Sequence, residues 1–194
     1  MSKLCFIDFG NSKSINSVAS YFAHNNKVTV LTDDRENFIN SEQIEFCQLD
    51  LNLLYDFFLN NKFDLYITEN FIDDFGRQDV PSSKVINLHY SLLPSFPVKD
   101  AARKSFLYGI KVGGITFHTI EKSQGSDRII LQYPSIVHNL MHYDEYEKSL
   151  INLGNMFYPK VAEMFLKNSA FDMSELFSAS HKCGSCGSCS GQCS

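Results

Sequence analysis

The sequence predicts an α/β fold, a doubly wound and mostly parallel sheet, on three observations. Short apolar runs at residues 4–7, 27–31, 63–67 and 85–89 have the length and residue types of strands. Several are followed by segments whose apolar residues recur at helical spacing, and strands that alternate with helices close into parallel sheets. Polar turns holding Gly10 and the Asn87/His89 pair fall where strands end, which is where open sheets of this kind bind ligands.

The elements follow in order. Residues 4–7 form a first strand that stops at Asp8-Phe9-Gly10-Asn11-Ser12-Lys13-Ser14, and Ile15, Val18, Ala19 and Phe22 then mark a helix. Residues 27–31 form a second strand and 43–47 a weaker third. Asp50 is placed to cap a helix carrying Leu53, Leu54, Phe57 and Phe58, ahead of a fourth strand at 63–67. A polar segment, 68–83, precedes the fifth strand at Val85. A helix over 99–108 is ended by Gly109, strands follow at 112–120 and 128–137, and Asp144 is placed to cap a long helix bearing Tyr146, Leu150, Leu153, Phe157, Val161 and Met164. No internal repeat is present.

The 194 residues suffice for one domain with its own core. We place it at residues 1–170, with a Cys/Gly/Ser-rich tail over 171–194. A hydrophobic content of 44% and a charged content of 20% are ordinary for a globular chain. The net charge of −5, without a run of Lys and Arg, argues against a nucleic-acid binder working by phosphate neutralisation. No stretch reaches 18 apolar residues and Asp8 breaks the first apolar run, so the expectation is neither a membrane span nor a signal peptide, and a cytoplasmic protein. Cys5 and Cys47 sit in apolar strand-like contexts, as small buried hydrophobes do. Oligomeric state is not legible.

The stretch Val85-Ile86-Asn87-Leu88-His89-Tyr90-Ser91-Leu92-Leu93-Pro94 carries the most chemistry. Residues two apart on a strand face one side, so Asn87 and His89 present a hydrogen-bond donor and a proton-transfer group to one place. Pro94 then turns the chain away. The pattern Asn-x-His-x-Ser-Leu-Leu-Pro resembles the signature of folate-dependent formyltransferases, most of all those acting on glycinamide ribonucleotide. The likeness continues through Gly109-Ile110-Lys111-Val112-Gly113-Gly114-Ile115-Thr116-Phe117-His118, Ile129-Ile130-Leu131-Gln132 and Met156-Phe157-Tyr158-Pro159. It covers roughly residues 1 to 168.

The resemblance implies a Rossmann-like formyltransferase fold and transfer of a formyl group from 10-formyltetrahydrofolate to a primary amine, with glycinamide ribonucleotide the leading acceptor. Negative charge develops on the formyl oxygen in such a transfer, and donors aimed there are usually the largest catalytic contribution. By resemblance Asn87 is that donor, and His89 donates to the oxyanion or carries the amine proton. Ser91 and His118 fall beside the site. Gly10, Asn11, Ser12 and Lys13 resemble the family's phosphate-holding loop, whose backbone N–H groups open a helix. The family's catalytic aspartate falls on Gly125, which leaves Asp127, two residues on, as the carboxylate able to serve if the loop is rebuilt. Val98 and Asp73 also depart from the family pattern, at positions where relatives carry Gly and often Arg.

Cys183, Cys186, Cys189 and Cys193 have the Cys-x2-Cys-x2-Cys-x3-Cys spacing of bacterial ferredoxins. Four thiols this close together read as a metal site, zinc ahead of an iron–sulfur cluster because the Gly/Ser spacers offer no apolar cover. The alternative readings are a degenerate relative that binds folate or a phosphorylated ligand without turnover, and a domain that carries the metal-binding tail. The expected partners are small molecules, without nucleic acid or membrane.

Overall fold

The computed structural model describes residues 1–8, 12–33, 43–48, 54–70, 84–121 and 127–167. Seven strands form one sheet in the order β3-β2-β1-β4-β5-β6-β7. They are β1 (Lys3–Ile7), β2 (Lys27–Thr32), β3 (Ile44–Gln48), β4 (Leu65–Glu69), β5 (Val85–His89), β6 (Val112–Thr119) and β7 (Ile129–Ile136). The first five run parallel, and β6 and β7 are added antiparallel at one edge. This is the doubly wound, mostly parallel sheet that the alternation of elements predicts.

The strands read as near-continuous apolar runs because both faces of the sheet are covered. Leu4 and Phe6 of β1 join a core with Ile15, Val18 and Phe22 of α1 (Ile15–Ala23) and Leu150, Phe157 and Val161 of α4 (Tyr143–Lys167). Cys5 and Ile7, one residue out of phase, join the opposite core with Leu31, Tyr66, Val85 and Leu54 of α2 (Leu54–Asn60). β5 obeys the same alternation: Ile86, Leu88 and Tyr90 enter the α1/α4 core, and Asn87 and His89 sit with Val85 on the other face.

Differences from the expected boundaries are small. β4 runs to Glu69, two residues past the apolar run, because its ladder with β5 continues to the Glu69–Leu88 pair. The third helix, α3 (Ala101–Tyr108), begins after Asp100, whose φ of 59° is left-handed and not helical. It ends as expected at Gly109, where φ is +85°. α4 begins at Tyr143, so Asp144 lies in its first turn and is not its cap. Asp50, Leu53 and residues 171–194 lie outside the described residues. Among the described residues, no helix is long and apolar enough to cross a membrane.

Candidate active site

The site is assembled where β5 ends and β6 runs back beside it. Antiparallel register sets Asn87 opposite His118, and both are buried. The Asn87 amide donates from Nδ2 to His118 Nε2 at 2.9 Å. His118 in turn donates from Nδ1 to the Thr119 carbonyl at 3.1 Å, so the ring is the neutral tautomer with its proton on Nδ1. Asp127 Oδ2 lies 3.7 Å from that same Nδ1, beyond hydrogen-bond length but within ion-pair reach. Its Oδ1 accepts the Glu121 N–H at 2.9 Å, which ties it to the end of β6. Thr119 accepts the Arg128 N–H on its hydroxyl at 3.0 Å.

His89 is held differently. Its Nε2 stands 3.0 Å from the Phe96 carbonyl, and a carbonyl only accepts, so Nε2 carries the proton and the neutral ring keeps a lone pair on Nδ1. Burial pushes its pKa below 6.5, with the Phe96 bond opposing. His89 is thus a neutral base at physiological pH. The Phe96 carbonyl is fixed by the turn that Ser91 builds: Ser91 Oγ donates to Ser95 O at 2.6 Å, and Thr116 Oγ1 donates to Ser91 O at 2.6 Å. Gln132 of β7 completes the brace by donating to Leu93 O at 2.7 Å. Ser91 therefore positions the turn that orients His89.

The loop expected to hold phosphate is only partly described, since Gly10 and Asn11 lie outside the described residues. The Ser12 N–H donates to Asp8 Oδ1 at 3.3 Å. The Lys13 and Ser14 N–H groups donate to the two oxygens of Glu69, each at 2.8 Å. Burial pushes the Glu69 carboxyl up, while the N–H groups of Lys13, Ser14 and Ile15 and the Tyr90 hydroxyl pull it back. The Ser14 hydroxyl donates to Tyr90, 3.0 Å away, whose own proton is spent on Glu69. Lys13 Nζ is ion-paired with Glu147 of α4.

A cleft of about 260 Å³ opens next to this loop, between Lys13, Asn70, Tyr90, the start of α3 and the first turns of α4. It lies on the α1/α4 side of β5, so Tyr90 is its link to the strand carrying Asn87 and His89 on the other side. Sequence reasoning brought Asn87, His89, Ser91 and His118 to one neighbourhood; it missed Glu69 and Tyr90. The signal for Glu69 was its place at the carboxyl end of a parallel strand, where a buried acid is conspicuous. Among the described residues, no group of three or more His, Cys, Asp and Glu side chains is placed to hold a metal ion. Cys183, Cys186, Cys189, Cys193 and Gly125 lie outside them.

Fold and site together define an open α/β protein whose central strand ends present an amide, two imidazoles and a carboxylate. The formyl transferase family profile matches residues 12–162, and the chain belongs to that family. Over 83 residues it is 35% identical to the phosphoribosylglycinamide formyltransferase of Bacillus subtilis (strain 168), across 43% of each chain. Over 89 residues it is 30% identical to formyltetrahydrofolate deformylase 2, mitochondrial, of Arabidopsis thaliana, across 46% of this chain and 24% of that one. These matches span less than half the length of either relative. The crystal structure of glycinamide ribonucleotide transformylase 1 from Symbiobacterium toebii shares the fold, with a TM-score of 0.69 at 19% identity over 87% of this chain and 89% of that one.

Proposed function

We propose that the protein transfers the formyl group of 10-formyltetrahydrofolate to a small amine. The observation that carries this reading is the buried 2.9 Å hydrogen bond fixing the Asn87 amide on His118, beside a neutral His89, in a chain of the formyl transferase family. The acceptor nitrogen attacks the formyl carbon and forms a C–N bond, charge gathers on the formyl oxygen, and the bond to the folate nitrogen then breaks. The acceptor loses one proton and the folate nitrogen gains one.

Asn87 supplies the donor class that the oxygen needs, in an orientation set by His118 before substrate arrives. His89, with its Nε2 proton committed to Phe96, takes the acceptor's proton on Nδ1 and returns it to the leaving nitrogen. Asp127 favours the Nδ1-protonated tautomer of His118, which leaves Nε2 as the acceptor for Asn87.

Likeness to phosphoribosylglycinamide formyltransferases supports glycinamide ribonucleotide as acceptor, and likeness to formyltetrahydrofolate deformylases supports water. Tetrahydrofolate release from 10-formyltetrahydrofolate, followed with and without candidate amines, separates the two. Release that depends on an amine is the expected result; release indifferent to amines identifies hydrolysis, and no release with any acceptor refutes the proposal.

A further inference from the structure

The first turn of a helix offers unpaired N–H groups and the positive end of its dipole, a ready site for an anion. Where the chain enters α1, the N–H groups of Lys13, Ser14 and the first helical residue, Ile15, are taken up from within the chain. Glu69, at the carboxyl end of β4, places its two oxygens on the successive N–H groups of Lys13 and Ser14, both at 2.8 Å. This is the two-oxygen contact that a phosphate would make. The acid comes from 55 residues away in sequence, so it is no local helix cap. It is 2% exposed and receives a further hydrogen bond from Tyr90.

α4 packs closely over this network among the described residues. Gly154 of α4 comes so close that a Cβ there would stand 2.8 Å from Ser14 Oγ and 3.6 Å from the Tyr90 oxygen. α4 thus closes the network from above. The loop's cation, Lys13, is committed to Glu147, whose carboxylate also accepts the Tyr143 hydroxyl at 2.6 Å. The adjoining cleft carries two acids, Asp100 and Glu147, against Lys13 and Arg103, so its walls hold no excess of positive charge.

We propose that Glu69 is a specificity-determining residue: as a built-in anion on the loop that enters α1 it excludes phosphomonoesters, and the acceptor is an unphosphorylated amine. This rests on the formyl-transfer reading and narrows its acceptor away from glycinamide ribonucleotide. Like charges that share one set of donors repel, so a phosphate must first expel a buried carboxylate from its hydrogen bonds.

Two measurements on the full chain test it. In the first, inorganic phosphate is titrated while the 15N amide signals of Lys13 and Ser14 are followed, for wild type, Glu69→Ala and the shape-conserving Glu69→Gln. The wild-type signals are expected to stay put to about 10 mM phosphate, and those of a folded Glu69 variant to move. Wild-type movement at millimolar phosphate, or folded variants that bind no better than wild type, would overturn the proposal.

In the second, glycinamide ribonucleotide is compared with its dephosphorylated ribonucleoside as formyl acceptor. The ribonucleoside should match or exceed the ribonucleotide in kcat/KM; a preference of about tenfold or more for the ribonucleotide, the worth of one charged hydrogen bond, contradicts it. Absence of turnover with every acceptor, water included, refutes the transfer reading itself, and the phosphate titration still decides what Glu69 does.

Discussion

The Asn87–His118 hydrogen bond makes a prediction about non-additivity. Both side chains are buried, and the bond is 2.9 Å long, so replacing His118 by Phe keeps a ring of similar shape while removing the acceptor. An N–H that loses its acceptor at such a buried site costs about 1–3 kcal/mol, and the amide loses the bond that fixes its Nδ2. We expect His118→Phe to lower kcat by about tenfold, and Asn87→Ala to lower it by about 10²–10³, the usual loss for one oxyanion donor. The double variant should be no more than about threefold slower than Asn87→Ala alone, a coupling of at least about 0.7 kcal/mol, because His118 has no amide left to orient. The His118 bond to Thr119 is lost in both arms of the cycle and cancels. The assay is tetrahydrofolate formation at saturating 10-formyltetrahydrofolate, with urea unfolding to confirm that each variant is folded. Fully additive losses would show that His118 acts on the reaction by some route other than Asn87, and would refute the positioning argument.

Three further outcomes are expected. His89 has a pKa depressed below 6.5 by burial, so its contribution to stability is complete above pH 6.5 and is lost as pH falls through the folded value. Urea unfolding should show that acid-side loss in wild type and less of it in His89→Phe, and kcat/KM should fall on the same acid limb. Gly109→Ala should cost about 1–2 kcal/mol without a steric clash, since φ is +85° and nothing lies within 4 Å of the added carbon; thermal unfolding reads it. For the tail, elemental analysis of anaerobically purified protein should find near one equivalent of zinc, absent after deletion of residues 181–194 while the domain stays folded. Four freely titratable thiols after metal addition would contradict this.

The sheet was legible in advance because its strands are short, apolar and separated by helical periodicity, and because both faces are covered. Asn87 and His89 were legible as a pair because alternation along one strand is local information. His118 depends on the register between β5 and β6, strands far apart in sequence, which no local pattern encodes. Glu69 was read as part of a polar segment, since its role exists only once β4 lies beside β1 and brings the acid under the α1 loop. The same holds for Asp127. Its Oδ2 lies 3.7 Å from His118 Nδ1 where its Oδ1 accepts the Glu121 N–H and the next residue, Arg128, donates its N–H to Thr119. Long-range pairing decides these residues, and propensity has no bearing on them.

The central claim is that a formylated folate binds beside Asn87 and His89. Selective 15N labelling of histidine, with 10-formyltetrahydrofolate titrated into the folded protein, tests this most directly. The ring signals of His89 and His118 should shift together and saturate, while those of exposed His24, His138 and His142 stay unchanged. Saturable binding that moves none of the buried ring signals, or no binding at millimolar folate, would contradict the account.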